Sequence, residues 1–422
     1  MNEYDSNRIA DLLQSINFTK VEQENLADYF IFNTCHIREK ATQKVYSDIG
    51  KIKKIFRNKK NKPTFILAGC VAQAESSVVF EKSDFVDIVV GPQAYHKLPN
   101  IIQEHDQNKK KVCNTDLDVS EKFDTLNTYK NNFSKVSSFV TIQEGCDKFC
   151  KFCVVPYTRG PEFSRSADTI MNEVNNLVDS GTREIVLLGQ NVSAYQHEDF
   201  NLAKLIKQIA SITNLERIRF TTSHPNDFDE ELINIFKDEP KLMPQLHLPV
   251  QSGSNKILEL MNRKHSREFY LDLIGKFKSV RPDIEFSSDF IVGYPGETEE
   301  DFEQTINLVK EVGFSNSYSF IYSQRPGTPA VDLDQISKSI AQKRLEKLQQ
   351  LLFDLQLKSN ESKINKKTKV LIENMTSTAN QFFGRNEYMQ PVFIHADNCT
   401  IGNVIDVSID SYKRNNLFGT IN

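Results

Sequence analysis

Six short strand-like runs constrain the fold of this 422-residue chain more than any other feature, because helical stretches separate most of them. They are residues 138–143, 184–188, 217–221, 245–248, 285–291 and 318–322. Strands that alternate with helices indicate a parallel sheet, since parallel neighbours need a long crossover that a helix usually supplies. Six such units predict a partial (βα)6 barrel, whose chemistry would lie in loops at the carboxyl ends of the strands.

The loop after the first of these strands contains three cysteines at a Cys-x3-Cys-x2-Cys spacing, Cys146, Cys150 and Cys153. A cubane [4Fe-4S] cluster usually takes four thiolates, so three would leave one iron open to a chelating substrate. A structural zinc site closes with four N or S ligands, and no nearby His or Cys completes this one. A disulfide uses only two cysteines. The spacing therefore predicts an iron–sulfur site.

The composition is that of a globular protein, with 39% hydrophobic residues and no apolar run near the roughly 18 residues of a membrane span. The polar first residues lack the basic and apolar regions of a signal peptide. Seven cysteines in such a chain favour metal or catalytic use over a disulfide framework. We therefore expect a cytoplasmic protein that does not associate with a membrane.

A net charge of −4 gives no overall attraction to nucleic acid, so any RNA affinity must come from local basic patches. Residues 51–62 include seven basic side chains, and Lys363, Lys366, Lys367 and Lys369 form a second group. Either patch could instead be a solvated face, which is the commoner explanation of an isolated charge run.

The N-terminal part of the chain predicts a second parallel sheet. Apolar runs at 29–33, 64–68 and 88–90 alternate with helical stretches, and two of them end at Cys35 and Cys70. Ligands of open α/β sheets collect at the carboxyl ends of the strands, where both thiols would lie. The alternative is that these cysteines act as small hydrophobic residues buried in the core.

Changes of pattern divide the chain into four predicted segments. We predict an N-terminal domain over 1–102, a linker over the hydrophilic residues 103–135, a barrel domain over 136–358 and a terminal domain over 359–422. The last contains short β segments with glycines at the turns, which is typical of a small β-barrel, a class that often binds nucleic acid.

Several segments together resemble the tRNA methylthiotransferases of the radical S-adenosylmethionine (SAM) superfamily. They are residues 33–41, 68–73, 153–160, 188–192, 221–225, 247–254 and 289–298. The resemblance extends over nearly the whole chain. It implies an α/β protein with a flavodoxin-like N-terminal domain, a radical SAM barrel and a terminal TRAM domain that binds RNA.

The resemblance also implies an activity, the transfer of a methylthio group to C2 of N6-isopentenyladenosine beside the anticodon of tRNA. A radical is needed because no side-chain base can remove the C2 proton at neutral pH, so a cofactor must carry this chemistry. The implied cofactors are SAM and two [4Fe-4S] clusters, one on Cys146, Cys150 and Cys153 and one with Cys35 and Cys70 among its ligands. The implied partners are the tRNA anticodon loop and a reducing electron-transfer protein, and we expect a monomer.

Further site residues follow from the same resemblance. Phe152 resembles the aromatic residue that lies against the SAM adenine, although it could simply pack the loop. Polar residues at or just after barrel strands are expected to contact SAM or substrate, with loop capping as the alternative: Gln190, Gln251, Ser252 and Asp289. In the terminal domain, the expected RNA contacts are Lys363, Lys366 and Lys367.

One departure from the family pattern concerns the second cluster. Family members have a third cysteine in a Gly-Cys-Gln sequence after an opening strand, and residues 1–6 here resemble the segment that follows it. We therefore expect that strand and its cysteine to lie upstream of Met1, which leaves the second cluster short of one ligand. Cys113 and Cys399 are poor substitutes by their sequence positions.

Two other functions fit parts of the pattern. The sister methylthiotransferase that modifies a ribosomal-protein aspartate shares both cluster domains, but residues 33–41 and 223–225 favour the tRNA branch. A catalytically inactive RNA-binding protein would also account for a missing cluster ligand. The intact three-cysteine loop argues against it, because a binding module would not need three thiolates.

Overall fold

The computed structural model describes residues 1–35, 39–58, 62–127 and 135–421. The chain forms two compact units. The first comprises Met1–Phe133, Glu144–Asp147 and Cys153–Arg165, and the second comprises Ser134–Gln143, Lys148–Phe152 and Ser166–Asn422. Among the described residues, no helix combines the length and apolar character needed to span a lipid bilayer.

The first unit is built on a four-stranded parallel sheet. Its strands are β1 (Tyr29–Thr34), β2 (Thr64–Gly69), β3 (Ile88–Val90) and β4 (Val112–Asn114), and neighbours in this order pair with each other. Its helices are α1 (Asn2–Ser15), α2 (Glu39–Phe56), α3 (Cys70–Glu75), α4 (Val79–Lys82), α5 (Leu98–Asn108), α6 (Ser120–Asn127) and α7 (Val155–Arg159). The predicted α/β class is confirmed.

Strand β2 shows why this sheet is apolar on both faces. Successive side chains of a strand point to opposite faces. Ile66 and Ala68 accordingly pack into one core cluster, and Phe65 and Leu67 pack into another on the other side. A strand covered by cores on both faces is continuously hydrophobic, which is typical of parallel sheets.

The predicted linker over 103–135 is wrong for the part that the structure describes, residues 103–127. Strand β4 and helix α6 form there, and Val119, Phe123 and Leu126 are buried. The apolar residues are few and the elements are short, so the hydrophilic average of the segment hides them. Residues 128–134 lie outside the described residues.

The second unit contains the predicted barrel strands. They are β5 (Ser137–Thr141), β6 (Glu184–Leu188), β7 (Arg217–Thr221), β8 (Gln245–His247), β9 (Glu285–Val292) and β10 (Asn316–Ile321). They form two parallel three-stranded sheets, β5-β6-β7 and β8-β9-β10, and an isolated bridge between Ile218 and Leu242 connects β7 to the segment before β8. The partial (βα)6 barrel is therefore confirmed.

Helices pack around these strands. They are α8 (Ala167–Asp179), α9 (Leu202–Ala210), α10 (Glu230–Asp238), α11 (Asn255–Leu260), α12 (Arg267–Val280), α13 (Glu299–Val312) and α14 (Lys338–Glu361). All except α11 contribute to one large hydrophobic cluster, and Ile257 of α11 belongs to a smaller one. Most begin at a side-chain cap, and α13 has a full capping box between Thr298 and Asp301, which satisfies backbone N–H groups that the helix itself leaves free.

The predicted terminal β-barrel is present and closed. Its strands are β11 (Lys367–Met375), β12 (Gln381–Asn386), β13 (Pro391–His395), β14 (Val404–Lys413) and β15 (Asn416–Ile421), in the order β11-β12-β13-β15-β14. Closure leaves no unpaired edge strand, so a domain of this size can be stable with a small core.

Two buried arginines join this barrel to the amino end of β7. Arg217 donates hydrogen bonds to the carbonyl oxygens of Arg385 and Lys369, each at 2.8 Å. Arg219 donates to the carbonyls of Glu387 and Asn386, each at 2.9 Å, and to the Glu184 carboxylate at 2.8 Å. Because these bonds are at the amino end of β7, the loops at the carboxyl ends of the (βα)6 strands are left uncovered by this contact.

Candidate iron–sulfur site

The three-cysteine loop lies between β5 and α7, after the first barrel strand as predicted. Cys150 is buried, whereas Cys146 and Cys153 are partly exposed. Cys146 and Cys153 belong to the first unit and Cys150 to the second. Among the described residues, no group of three or more His, Cys, Asp or Glu side chains is arranged to hold a metal ion. The three-thiolate site therefore stays a prediction from spacing.

The Cys146 end of the loop depends on a glycine. Gly145 has a φ of +75°, and an added Cβ would lie 1.8 Å from the carbonyl oxygen of Pro161. The next residue, Cys146, donates its backbone N–H to the carbonyl of Gly160 at 3.2 Å. Only glycine fits a position that combines a left-handed conformation with so close a backbone approach.

The Cys150 end is held by backbone hydrogen bonds within the second unit. The N–H of Lys151 donates to the carbonyl of Met261 at 3.0 Å, and its carbonyl accepts from the N–H of Ala330 at 3.1 Å. The Asn262 side chain donates to the carbonyl of Phe149 at 2.9 Å. These bonds give the Cys150 segment a defined position without any metal ligand.

Phe152 is partly buried and packs against the cluster formed by Ile257, Met261, Tyr294 and Ala330. This packing is the alternative role considered from the sequence, and it accounts for an aromatic residue here. A contact between Phe152 and the SAM adenine stays a prediction.

The other predicted SAM contacts lie after β6 and β8 and, for Asp289, within β9. Gln251 has a φ of +75° and exchanges backbone hydrogen bonds with Asp289 and Ile291. Ser252 is fully buried, and its hydroxyl accepts from the N–H of Ser254 at 3.2 Å, as expected for loop capping. Gln190 is partly exposed after β6, and the Asp289 carboxylate lies 3.4 Å from His247. Their roles in binding SAM remain predictions.

Sequence reasoning missed a buried basic group beside Cys150. Arg263, in the turn after α11, donates a hydrogen bond from Nη1 to the Cys150 sulfur at 3.5 Å. His224 and His265 lie nearby, with their rings 5.8 Å apart. Burial, with the charge of Arg263, lowers the pKa of His224 far below its ordinary value and that of His265 to about 4, so both rings are neutral near pH 7.

Cys35 and Cys70 lie at the carboxyl ends of adjacent strands of the first unit. Thr34 and Gly69, the residues before them, are paired in register across β1 and β2. Gly69 has a φ of +89°, and an added Cβ would lie 2.4 Å from the carbonyl oxygen of Thr34. The sheet thus brings both cysteines to one edge, as predicted. Residues 36–38 of the motif at 33–41 lie outside the described residues.

A buried charge network also belongs to the first unit. The Lys122 amine lies 2.7 and 2.8 Å from the two oxygens of Glu144, the residue before Gly145, and all atoms of both side chains are buried. Arg159 lies 2.6 Å from Asp5 and interacts electrostatically with Cys70. Sequence reasoning missed Lys122, because this residue lies in the predicted linker.

Cys113 and Cys399 differ from the predicted ligands. Cys113 is exposed on β4, with its sulfur 3.5 Å from the hydroxyl of Ser76. Cys399 packs against the core of the terminal barrel, and burial raises the pKa of its thiol. Nothing in these environments indicates a role as a cluster ligand.

The predicted RNA contacts of the terminal domain are of two kinds. Lys363 is largely buried, 2.5 Å from Glu285 and 3.6 Å from the centre of the Tyr388 ring. Lys366 and Lys367 are exposed. In the other basic patch, 51–62, Lys53 lies over the ring of Phe85, and residues 59–61 lie outside the described residues. Lys363 therefore contributes to internal packing, whereas Lys366 and Lys367 are available to a ligand.

Three parts of the chain match described families. Residues 140–309 match the Radical SAM superfamily, residues 361–421 match the TRAM domain, and residues 1–91 match the Uncharacterized protein family UPF0004. The chain is 52% identical over 425 residues to the tRNA-2-methylthio-N(6)-dimethylallyladenosine synthase of Pelagibacter ubique, with 100% of this chain and 95% of the relative covered. The chain belongs to this family.

A second relative agrees with the first. The protein of the same name from Ehrlichia canis is 49% identical over 431 residues, with 100% of this chain and 97% of the relative covered. The radical SAM methyltransferase TsrM from Kitasatospora setae, solved with cobalamin and a [4Fe-4S] cluster, has a TM-score of 0.56 at 13% identity and covers 78% of this chain and 74% of its own. That likeness is one of fold. Membership of the radical SAM superfamily implies a [4Fe-4S] cluster and SAM.

Proposed function

We propose that the protein transfers a methylthio group to C2 of N6-isopentenyladenosine beside the anticodon of tRNA. The observation that carries this proposal is the full-length similarity to relatives named for that product. The three-cysteine loop, at the carboxyl end of a barrel strand in the segment that matches the radical SAM superfamily, supports the same activity.

Cys146, Cys150 and Cys153 would hold a [4Fe-4S] cluster with one open iron, because their spacing supplies three of its four usual thiolates. A buried arginine donates a hydrogen bond to the sulfur of Cys150. A bound cluster supplies the electron that cleaves SAM to the 5′-deoxyadenosyl radical. Arg263 holds the sulfur of Cys150 in place, and the backbone hydrogen bonds of Lys151 fix the position of the loop segment around it.

A second cluster in the first unit is part of the proposal. Cys35 and Cys70 would supply two of its ligands from one edge of the sheet, and this cluster would hold the sulfur to be transferred. Arg159 interacts electrostatically with Cys70, which places a buried positive charge close to this predicted ligand. We further propose a cytoplasmic monomer that takes electrons from a reducing electron-transfer protein.

The test is mass spectrometry of tRNA nucleosides. A strain without this gene should accumulate N6-isopentenyladenosine and lose its 2-methylthio derivative, and complementation with this chain should restore the derivative. A complemented strain in which the methylthio group appears on a ribosomal-protein aspartate, and not on tRNA, would assign the chain to the sister activity.

The terminal barrel should bind tRNA through its exposed lysines. Replacing Lys366 and Lys367 with glutamine should lower the slope of log K against log salt by about two, about one for each lost phosphate contact. Lys363→Gln is the matched control, because Lys363 already pairs with Glu285, and its slope should stay near that of the unaltered protein. Filter binding over a salt series measures both slopes. Equal slopes for the double variant and the unaltered protein would assign these lysines to a solvated face.

A further inference from the structure

Arg263 is held in a tight turn that leaves its side chain little freedom. The residues on either side, Asn262 and Lys264, both have a φ of +58°, and the N–H of Arg263 donates to the carbonyl of Leu258 at 2.9 Å. Only 5% of Arg263 is exposed. A long charged side chain is buried to this extent only when a partner compensates for its lost hydration.

The guanidinium connects two segments at the mouth of the barrel. Its Nη1 donates to the sulfur of Cys150 at 3.5 Å, and its Nη2 donates to the carbonyl of Pro249 at 2.5 Å. Pro249 follows β8 and precedes Gln251, one of the predicted SAM contacts. One side chain therefore fixes the position of Cys150 relative to that segment.

No ordinary counter-ion accounts for this buried charge. Within the part of the chain that the structure describes, Arg263 makes no ion pair with a carboxylate. The neighbouring His224 and His265 are neutral or, if protonated, positive, so they cannot balance it. The remaining partner that can carry a negative charge is the sulfur of Cys150. A buried cation is stabilised by an anion beside it, so a negatively charged group bound at the Cys150 sulfur would compensate for the burial of Arg263.

We propose that Arg263 is a positioning residue of the radical centre, one that holds the sulfur of Cys150 and makes the cluster easier to reduce. This inference rests on the proposed function. A one-electron reduction adds one negative charge to the cluster and breaks no bond, with the electron coming from an external reductant. A fixed positive charge and an N–H···S hydrogen bond stabilise the more negative state, and such hydrogen bonds are among the factors that set cluster potentials.

The test is a redox titration of the reconstituted cluster, followed by electron paramagnetic resonance with titanium(III) citrate as the reductant. Arg263→Gln removes the charge and should lower the ratio of reduced to oxidised cluster about tenfold at a fixed potential, which is 59 mV for a one-electron couple. Arg263→Lys keeps the positive charge on a shorter side chain and should lower the ratio of reduced to oxidised cluster about threefold. Lys264→Gln, which removes a charge from the exposed neighbour, is the matched control and should leave the ratio unchanged.

The outcomes separate this inference from the proposed function. An unaltered protein that binds no cluster on reconstitution would overturn both. Suppose instead that the unaltered protein binds a cluster and cleaves SAM. If the clusters of both Arg263 variants then have the same reduction potential as that of the unaltered protein, the inference about Arg263 is wrong and the proposed function stands. If Arg263→Gln does not retain iron, the Arg263→Lys variant provides the test. An unchanged ratio of reduced to oxidised cluster in that variant would reject the proposed role of Arg263.

Discussion

Replacement of Cys150 by alanine is expected to reduce the formation of 5′-deoxyadenosine from SAM to the level of a protein-free blank. The physical reason is that three thiolates are the minimum protein ligand set predicted for this cluster, and Cys150 is the one that is buried and held by Arg263. Without it only Cys146 and Cys153 would remain to hold the cluster. Anaerobic reconstitution, followed by iron analysis and mass spectrometry of the nucleoside, measures the effect.

Cys399→Ala is the matched control for this experiment. Cys399 packs against the core of the terminal barrel, so its loss removes a thiol of the same chemistry from a region with no predicted cluster. Iron content and 5′-deoxyadenosine should stay at the level of the unaltered protein. Undiminished 5′-deoxyadenosine from Cys150→Ala would show that this loop is not the radical site.

The barrel strands were predictable because burial makes them apolar. All five residues of β6 are buried, and the predicted range 184–188 coincides with the observed strand. The range predicted for β7 coincides as well, although Arg217 and Arg219 are charged, because the intervening Ile218 and Phe220 carry the strand signal. The two arginines are buried against carbonyl groups of the terminal barrel, and a sequence pattern does not report such distant partners.

The elements that sequence reasoning missed are short and have few apolar residues. Strand β4 has three residues and joins the sheet only through β3, so no periodicity develops within it. Helix α6 contributes two core residues, Phe123 and Leu126, from a segment that is otherwise polar. A hydrophilic average predicts a linker there, whereas a small number of well-placed contacts decides the structure.

The site residues likewise include some that a local sequence signal predicts and others that it does not. Cysteine spacing is local, so the three-thiolate loop was visible in the sequence. Arg263 is 113 residues from Cys150, and Lys363 is far along the chain from Glu285, so neither contact leaves a local signal. Charged residues are usually exposed, and a sequence alone assigns these two to the surface. Their roles depend on tertiary contacts with partners that the fold brings near.

Replacement of Lys122 by methionine is the stability change with the largest expected effect. Lys122 and Glu144 are fully buried, and the amine also donates to the carbonyl of Pro92 at 3.0 Å and to the Gln93 side chain at 3.1 Å. Removing the amine takes away the closer cation of the buried Glu144 carboxylate and leaves the Arg159 guanidinium, 3.5 Å away, so we expect the lower end of the about 3–5 kcal/mol that a buried pair loses with one partner. For a unit of this size we expect the melting temperature to fall by roughly 10 °C.

Lys97→Met provides the comparison, because Lys97 is more exposed and lies 3.6 Å from Asp116 and from Glu121. Such surface pairs contribute about 0–1 kcal/mol, so its melting temperature should change little. The double variant with Lys122→Met and Glu144→Gln should recover part of the loss, since it removes the buried carboxylate charge together with its closer partner. Calorimetry of the unaltered protein, Lys122→Met, Glu144→Gln and the double variant closes the cycle, with Lys97→Met as the comparison. If Lys122→Met has the same melting temperature as the unaltered protein, the buried pair does not stabilise the first unit. The short segment before Gly145 must then be held in place by its backbone alone.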